Sequence, residues 1–121
     1  MSEEQTVAER ITGTVASWPG IEVGPHRFGG VEFWLERWEV GHLHGDRTAD
    51  IPFPRRCRDH LVAAGQARPH HVLPDSGWAT VPIGGHDGVV HVVEPLRISY
   101  ECARGERRSP ERARPGGGPV E

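Results

Sequence analysis

The chain has 121 residues, enough for one domain with its own core and too few for two. Residues 1–103 carry nine Arg and fourteen acidic residues, net −5, while 104–121 carry five Arg and three, net +2; an acidic body argues against nucleic-acid binding, which needs a basic face to neutralise phosphates. No apolar run approaches the ~20 residues that span a bilayer, and "MSEEQTVAER" lacks an apolar signal region, so the sequence predicts a cytoplasmic protein without a membrane partner, its Cys57 and Cys102 reduced.

In chain order, the spacing predicts a helix over 3–17. Val7, Ile11 and Val15 recur at i, i+4 and i+8, and Glu3 and Glu4 sit at the favourable N-terminal end. Pro19-Gly20 ends it. Residues 21–23 read as a short strand and "GPHRFGG" (24–30) as turns. "VEFWLE" (31–36) alternates as a strand, with Val31, Phe33 and Leu35 on one side. "EVGHLH" (39–44) is a second strand, close enough to pair with it as a hairpin. "GDRTADIPFP" (45–54) reads as a loop because of Pro52 and Pro54. Pro54 then starts a short helix that Gly65 stops. Residues 67–83 hold extended segments around a turn at 74–77, ending in a strand from Trp78 to Ile83. Asp87 is a candidate N-cap for a helix over 88–103, which Pro95 should kink or split. The tail from Arg104 has almost no apolar residues and should be disordered. The pattern predicts an α+β fold: a small, mainly antiparallel sheet with helices packed on one face, in a single domain.

The chemistry-bearing candidates are histidines. In a strand, residues i and i+2 share a face, about 6.6–6.8 Å apart, so His42 and His44 present two imidazoles side by side with Asp46 just beyond. Two His and a carboxylate suit a divalent metal, a metal-free proton relay, or simply a polar strand face. His70-His71 form a second cluster, of which one residue can share a face with the first. Ser76 lacks the Gly-x-Ser-x-Gly elbow of a nucleophile and reads as part of a turn. "HRFGG" lacks a phosphate-binding glycine pattern, although Arg27 could pair with an anionic ligand.

The segments "PHRFGGVEFWL", "EVGHLHGDRTADIPFP" and "RPHHVLPDSGWATVPI", followed by a last helix ending in "SYE", resemble the luciferase-domain family over roughly residues 20–103. That implies a luciferase-like α+β domain over 20–103; with the helix and tail read above, the domain plan is an N-terminal helix (1–19) packing on that domain and a disordered tail (104–121). The family is named for fungal luciferases, which oxidise a hydroxylated pyrone with molecular oxygen and are thought to need no metal or flavin. What is shared with them is His42, His44, Asp46 or Asp50, His70 or His71, Trp78 and Tyr100. The fungal chains are longer and carry an N-terminal membrane segment, so light emission is not carried over. The last part is also weakly similar to a frataxin-like α+β family, some of whose members have been proposed to bind DNA; the acidic body opposes that role here.

The resemblance implies a cofactor-independent oxygenase-like enzyme, or a binder of a small aromatic or enolic ligand. His42 or His44 would serve as general base. The other His, or Arg27, would stabilise the oxyanion. Trp78 and Phe28 would form the apolar wall, with His70, His71 and Tyr100 completing the ligand contacts. A non-enzymatic interaction module and a divalent-metal protein using His42, His44 and a carboxylate remain open alternatives.

Overall fold

Thr6 starts the first helix, α1 (Val7–Ala16), with a reciprocal cap. Its Oγ1 accepts from the Glu9 amide at 3.0 Å, and Glu9 Oε1 accepts from the Thr6 amide at 2.9 Å. Two amides that a helix N-terminus leaves without intrahelical partners are satisfied this way. Val7, Ile11 and Val15 form the buried stripe, as the i, i+4, i+8 spacing predicts. The computed structural model describes residues 5–26, 29–70 and 76–105.

Six strands follow: β1 (Ile21–His26), β2 (Gly30–Leu35), β3 (Trp38–His44), β4 (Thr48–Pro52), β5 (Arg68–Pro69) and β6 (Trp78–Pro82). They lie in one sheet in the order β1-β2-β3-β4-β6-β5, with every pair antiparallel. Helix α2 (Arg55–Ala63) joins β4 to β5, and α3 (Val89–Gly105) follows β6 after a short 3₁₀ turn, His86–Gly88. This is the α+β architecture that the sequence pattern implies. Phe33, Leu35, Trp38, Leu43, Ala49, Ile51, Ala79 and Val81 bury one face of the sheet against α1 and against Val92, Leu96, Tyr100 and Ala103 of α3. Each large aliphatic side chain so buried contributes roughly 1.5–3 kcal/mol.

The segment 45–54, expected as a loop, contains the interior strand β4. Ala49 and Ile51 point into the core while Thr48, Asp50 and Pro52 point to the other face. Pro52 is the last residue of the strand, so its missing N–H interrupts nothing upstream. Phe53 then donates its amide to the Gly77 carbonyl at 2.9 Å. Pro95 does not split helix α3, which runs on through that residue as one element. Asp87 lies inside the 3₁₀ turn rather than capping α3. Arg104 and Gly105 belong to α3, and the rest of the expected tail, 106–121, lies outside the described residues.

One irregularity governs the polar face. Phe33 pairs with Gly41 and Trp34 with Glu39, which leaves Val40 as an extra residue in β3. A bulge of this kind shifts the alternation of side chains by one. Glu39 and His42, three positions apart, therefore point to the same face. Helix α3 holds the bulge from behind: Ser99 Oγ lies 2.9 Å from the Val40 carbonyl and 2.9 Å from the Pro52 carbonyl. Gly41 is needed beside it. A Cβ there would sit 2.8 Å from Leu96 Cδ2 and 3.2 Å from the Asp50 carbonyl oxygen.

Gly41→Ala should therefore destabilise the fold by about 1–3 kcal/mol through overpacking. Ser99→Ala should cost a similar amount, about 1–3 kcal/mol, by leaving buried carbonyls without their donor. Urea unfolding midpoints measure both; unchanged midpoints would show that α3 does not hold the bulge.

Candidate functional site

The second face of the sheet, turned away from α1 and α3, gathers the polar side chains. The hairpin of β3 and β4 pairs His42 with Asp50 and His44 with Thr48. Strand β6 brings Thr80 opposite Asp50 and Trp78 opposite Pro52. Strand β5 ends immediately before His70.

These placements converge on one carboxylate. Asp50 is 2% exposed. Its Oδ2 lies 2.7 Å from His44 Nε2 and 3.4 Å from Nε2 of both His42 and His70. Its Oδ1 accepts from Thr80 Oγ1 at 2.7 Å. The His42 and His44 rings meet edge to face, 4.9 Å apart. On the far side of His42, Nδ1 lies 2.6 Å from Glu39 Oε2; Glu39 is itself buried. The Trp78 ring lies 5.4 Å from the His42 ring and 6.3 Å from the His70 ring.

The electrostatics follow from this crowding. Burial by itself lowers the pKa of His42, but hydrogen bonds to Asp50 and Glu39 and the charges of both carboxylates outweigh it and raise it from 6.5 to about 9. Burial likewise pushes Asp50 up. The hydrogen bonds from His42, Thr80 and His44 and the charge of His70 overcome it, and they hold the carboxyl well below the usual carboxylate range. In this state His42 is an imidazolium between two carboxylates. His44 Nε2 is placed to donate to Asp50, which orients the ring. The His44 side chain is 41% exposed.

Of the residues singled out in the sequence, the structure brings His42, His44, His70 and Trp78 together. Asp46 is turned elsewhere: its Oδ1 accepts the Ala8 amide at 2.8 Å and so caps α1. Asp50 takes the place beside the imidazoles. Tyr100 is also kept from this face. It is fully buried on α3, its hydroxyl donates to the Pro19 carbonyl at 2.5 Å, and its ring packs 5.2 Å from Trp18. Arg27, Phe28 and His71 lie outside the described residues. Ser76 is a turn residue whose Oγ accepts from the Trp78 amide at 3.1 Å. His60, His86 and His91 are exposed away from the cluster. Glu39 and Thr80 were not foreseen. Asp50 was legible in principle, because a hairpin turning at 45–47 places residues 42 and 50 opposite each other. Glu39 was not, because strict alternation puts it on the opposite face from His42.

The luciferase-domain family model matches residues 37–99. The chain belongs to the luciferase-domain family. No curated protein and no solved structure matches it significantly. The luciferase-domain match contains the whole cluster, namely Glu39, His42, His44, Asp50, His70, Trp78 and Thr80, together with Ser99 behind the bulge. No helix among the described residues of this luciferase-domain chain is long and apolar enough to cross a membrane.

The cluster makes stability depend on pH in a defined direction. Because folding raises the pKa of His42, its contribution is complete below about pH 6.5 and is lost as the pH rises through about 9. Asp50, lowered on folding, contributes in the opposite sense: its share is present above its ordinary value of 3.8 and is lost as the pH falls below it. Between about pH 6 and about pH 9.5 the wild type should lose of the order of 3 kcal/mol in urea unfolding, and His42→Gln should lose much less. Equal alkaline slopes for the two proteins would show that His42 does not hold its proton between carboxylates.

Proposed function

We propose that this luciferase-domain protein is an oxygenase-like binder of a small, flat aromatic or enolic ligand, which it holds on the polar face of the sheet as the anion of an acidic hydroxyl. The observation that carries this reading is the gathering of His42, His44 and His70 around Asp50 beside the half-buried Trp78 ring. Trp78 supplies a surface on which a planar ligand stacks. His44 is the base in this reading. Asp50 receives its Nε2–H and orients the ring, and Nδ1 takes the proton, the geometry of an oriented general base. His42, held as a cation in the same cluster, offsets the charge of the oxyanion that forms. The sequence alone suggests either histidine of the pair as the base; this reading assigns the role to His44. Removing the hydroxyl proton leaves an electron-rich anion that molecular oxygen can oxidise, the chemistry implied by the resemblance to the fungal luciferases.

The test is a panel of hydroxylated pyrones, phenols and enols, followed by tryptophan fluorescence for binding and oxygen uptake for turnover. At least one class should bind saturably. Trp78→Ala should weaken its binding about tenfold or more, in line with the ~1–3 kcal/mol of a stacked ring. His44→Asn should lower oxygen uptake by roughly 10²–10⁴-fold while leaving thermal stability nearly unchanged. Binding that is indifferent to Trp78→Ala would remove the sheet face as the ligand site.

A further inference from the structure

We infer that the Asp50 cluster is a binding site for one divalent transition-metal ion, with His42, His44, His70 and Asp50 as its ligands. The inference deepens the reading above, naming what would hold the ligand's oxyanion, and it is tested without any substrate. With an ion bound, His44 would be a ligand through Nε2 in place of donating to Asp50, and the ion would supply the positive charge that favours the ligand's anion; the stacking surface on Trp78 is unchanged.

Distances carry the argument first. Imidazole nitrogens bind such ions at about 2.0–2.1 Å and carboxylate oxygens at about 2.0–2.2 Å, so donors arranged tetrahedrally around one ion lie about 3.3 Å from each other. Asp50 Oδ2 already lies 3.4 Å from His42 Nε2 and 3.4 Å from His70 Nε2. Of the three separations from Asp50 Oδ2, the 2.7 Å to His44 Nε2 must open, by about half an ångström. The donor atoms of His42, His44 and Asp50 all lie within 4.8 Å of one another. All three imidazoles present the same nitrogen, Nε2, to the cluster.

The surroundings supply a second, independent observation. Histidine ligands characteristically donate their other ring N–H to a carboxylate, which fixes ring and tautomer, and ligating carboxylates are themselves hydrogen-bonded. Here Glu39 Oε2 lies 2.6 Å from His42 Nδ1, and Thr80 Oγ1 donates to the remaining oxygen of Asp50. The Val40 bulge exists on the same strand and brings Glu39 into that position. Charge is compatible: two buried carboxylates, Glu39 and Asp50, face the site, and a divalent cation would take the place of the proton that His42 holds between them. Three imidazoles and a single carboxylate favour zinc, iron or cobalt over magnesium or calcium, which take oxygen ligands. The 41% exposure of the His44 side chain leaves the ion reachable from solvent.

Purified protein stripped with chelator is titrated with Zn²⁺ by calorimetry and with Co²⁺ by visible absorption, with elemental analysis after dialysis. About one ion per chain is expected, with Co²⁺ showing the absorption of nitrogen ligation. His70→Gln and Asp50→Asn, checked for folding by circular dichroism, should each weaken binding at least about tenfold. Glu39→Gln should weaken it about 10–100-fold while keeping one ion per chain. His91→Gln, on the exposed side of α3, should change nothing. Absence of stoichiometric binding in the wild type overturns the inference whatever the variants do. Binding that survives both His70→Gln and Asp50→Asn overturns it too, since the ion then sits on other histidines. Either result leaves the metal-free role of His44 to the ligand panel, and an inactive ligand panel leaves the metal titration unaffected.

Discussion

A carboxylate buried on an interior strand is the constraint around which this protein is organised. Leaving Asp50 ionised in a low-dielectric setting would be expensive unless donors surrounded it. The fold supplies them from separate parts of the sheet: two imidazoles from β3, one from the residue after β5 and a hydroxyl from β6. No pair of neighbouring strands could do this alone. The sheet order β1-β2-β3-β4-β6-β5 puts β4 between β3 and β6, so the carboxylate stands where donors can reach it from both sides.

The two faces of the sheet are coupled through the bulge. Val40 is buried among apolar residues on the helix side, and its extra length in β3 turns Glu39 toward His42 on the other. Ser99 and Leu96 of α3 meet the bulge from behind, one through hydrogen bonding and one through contact with Gly41. The apolar core therefore does more than stabilise the domain. Its packing sets the register that gives His42 two carboxylate neighbours, and hence its charge.

That charge decides the chemistry available. With both nitrogens facing carboxylates, His42 is a fixed cation or a well-anchored ligand and poorly placed as a base. His44, whose side chain is 41% exposed, is the imidazole of the cluster that solvent reaches most readily, whereas His42 and His70 are largely buried. Asp50 serves either arrangement, orienting an imidazole in one and contributing an oxygen in the other. In both, the flat surface of Trp78 lies at the rim of the cluster rather than in the core.

Local periodicity determined much of this protein from sequence alone. The 3.6-residue spacing of Val7, Ile11 and Val15, the period-2 alternation of 31–35 and 78–83, and the Pro54 start and Gly65 stop of α2 appear in the structure as expected. So does the shared face of His42 and His44. The motif order also identified the family. What sequence could not decide was non-local. Reading 45–54 as a loop hid β4, because prolines argue against a strand unless its last residue is where one falls. Without β4, spacing pointed to Asp46 as the carboxylate of the site, although it caps α1, and Asp50, which the resemblance offered as the alternative, had no place opposite His42. Tyr100 carried a resemblance but is held in the core by Pro19 and Trp18. Spacing along one strand can place two imidazoles side by side. Only the pairing of distant strands, and a bulge held by a helix, could give them their carboxylates, because those neighbours are set by contacts between residues far apart in the chain.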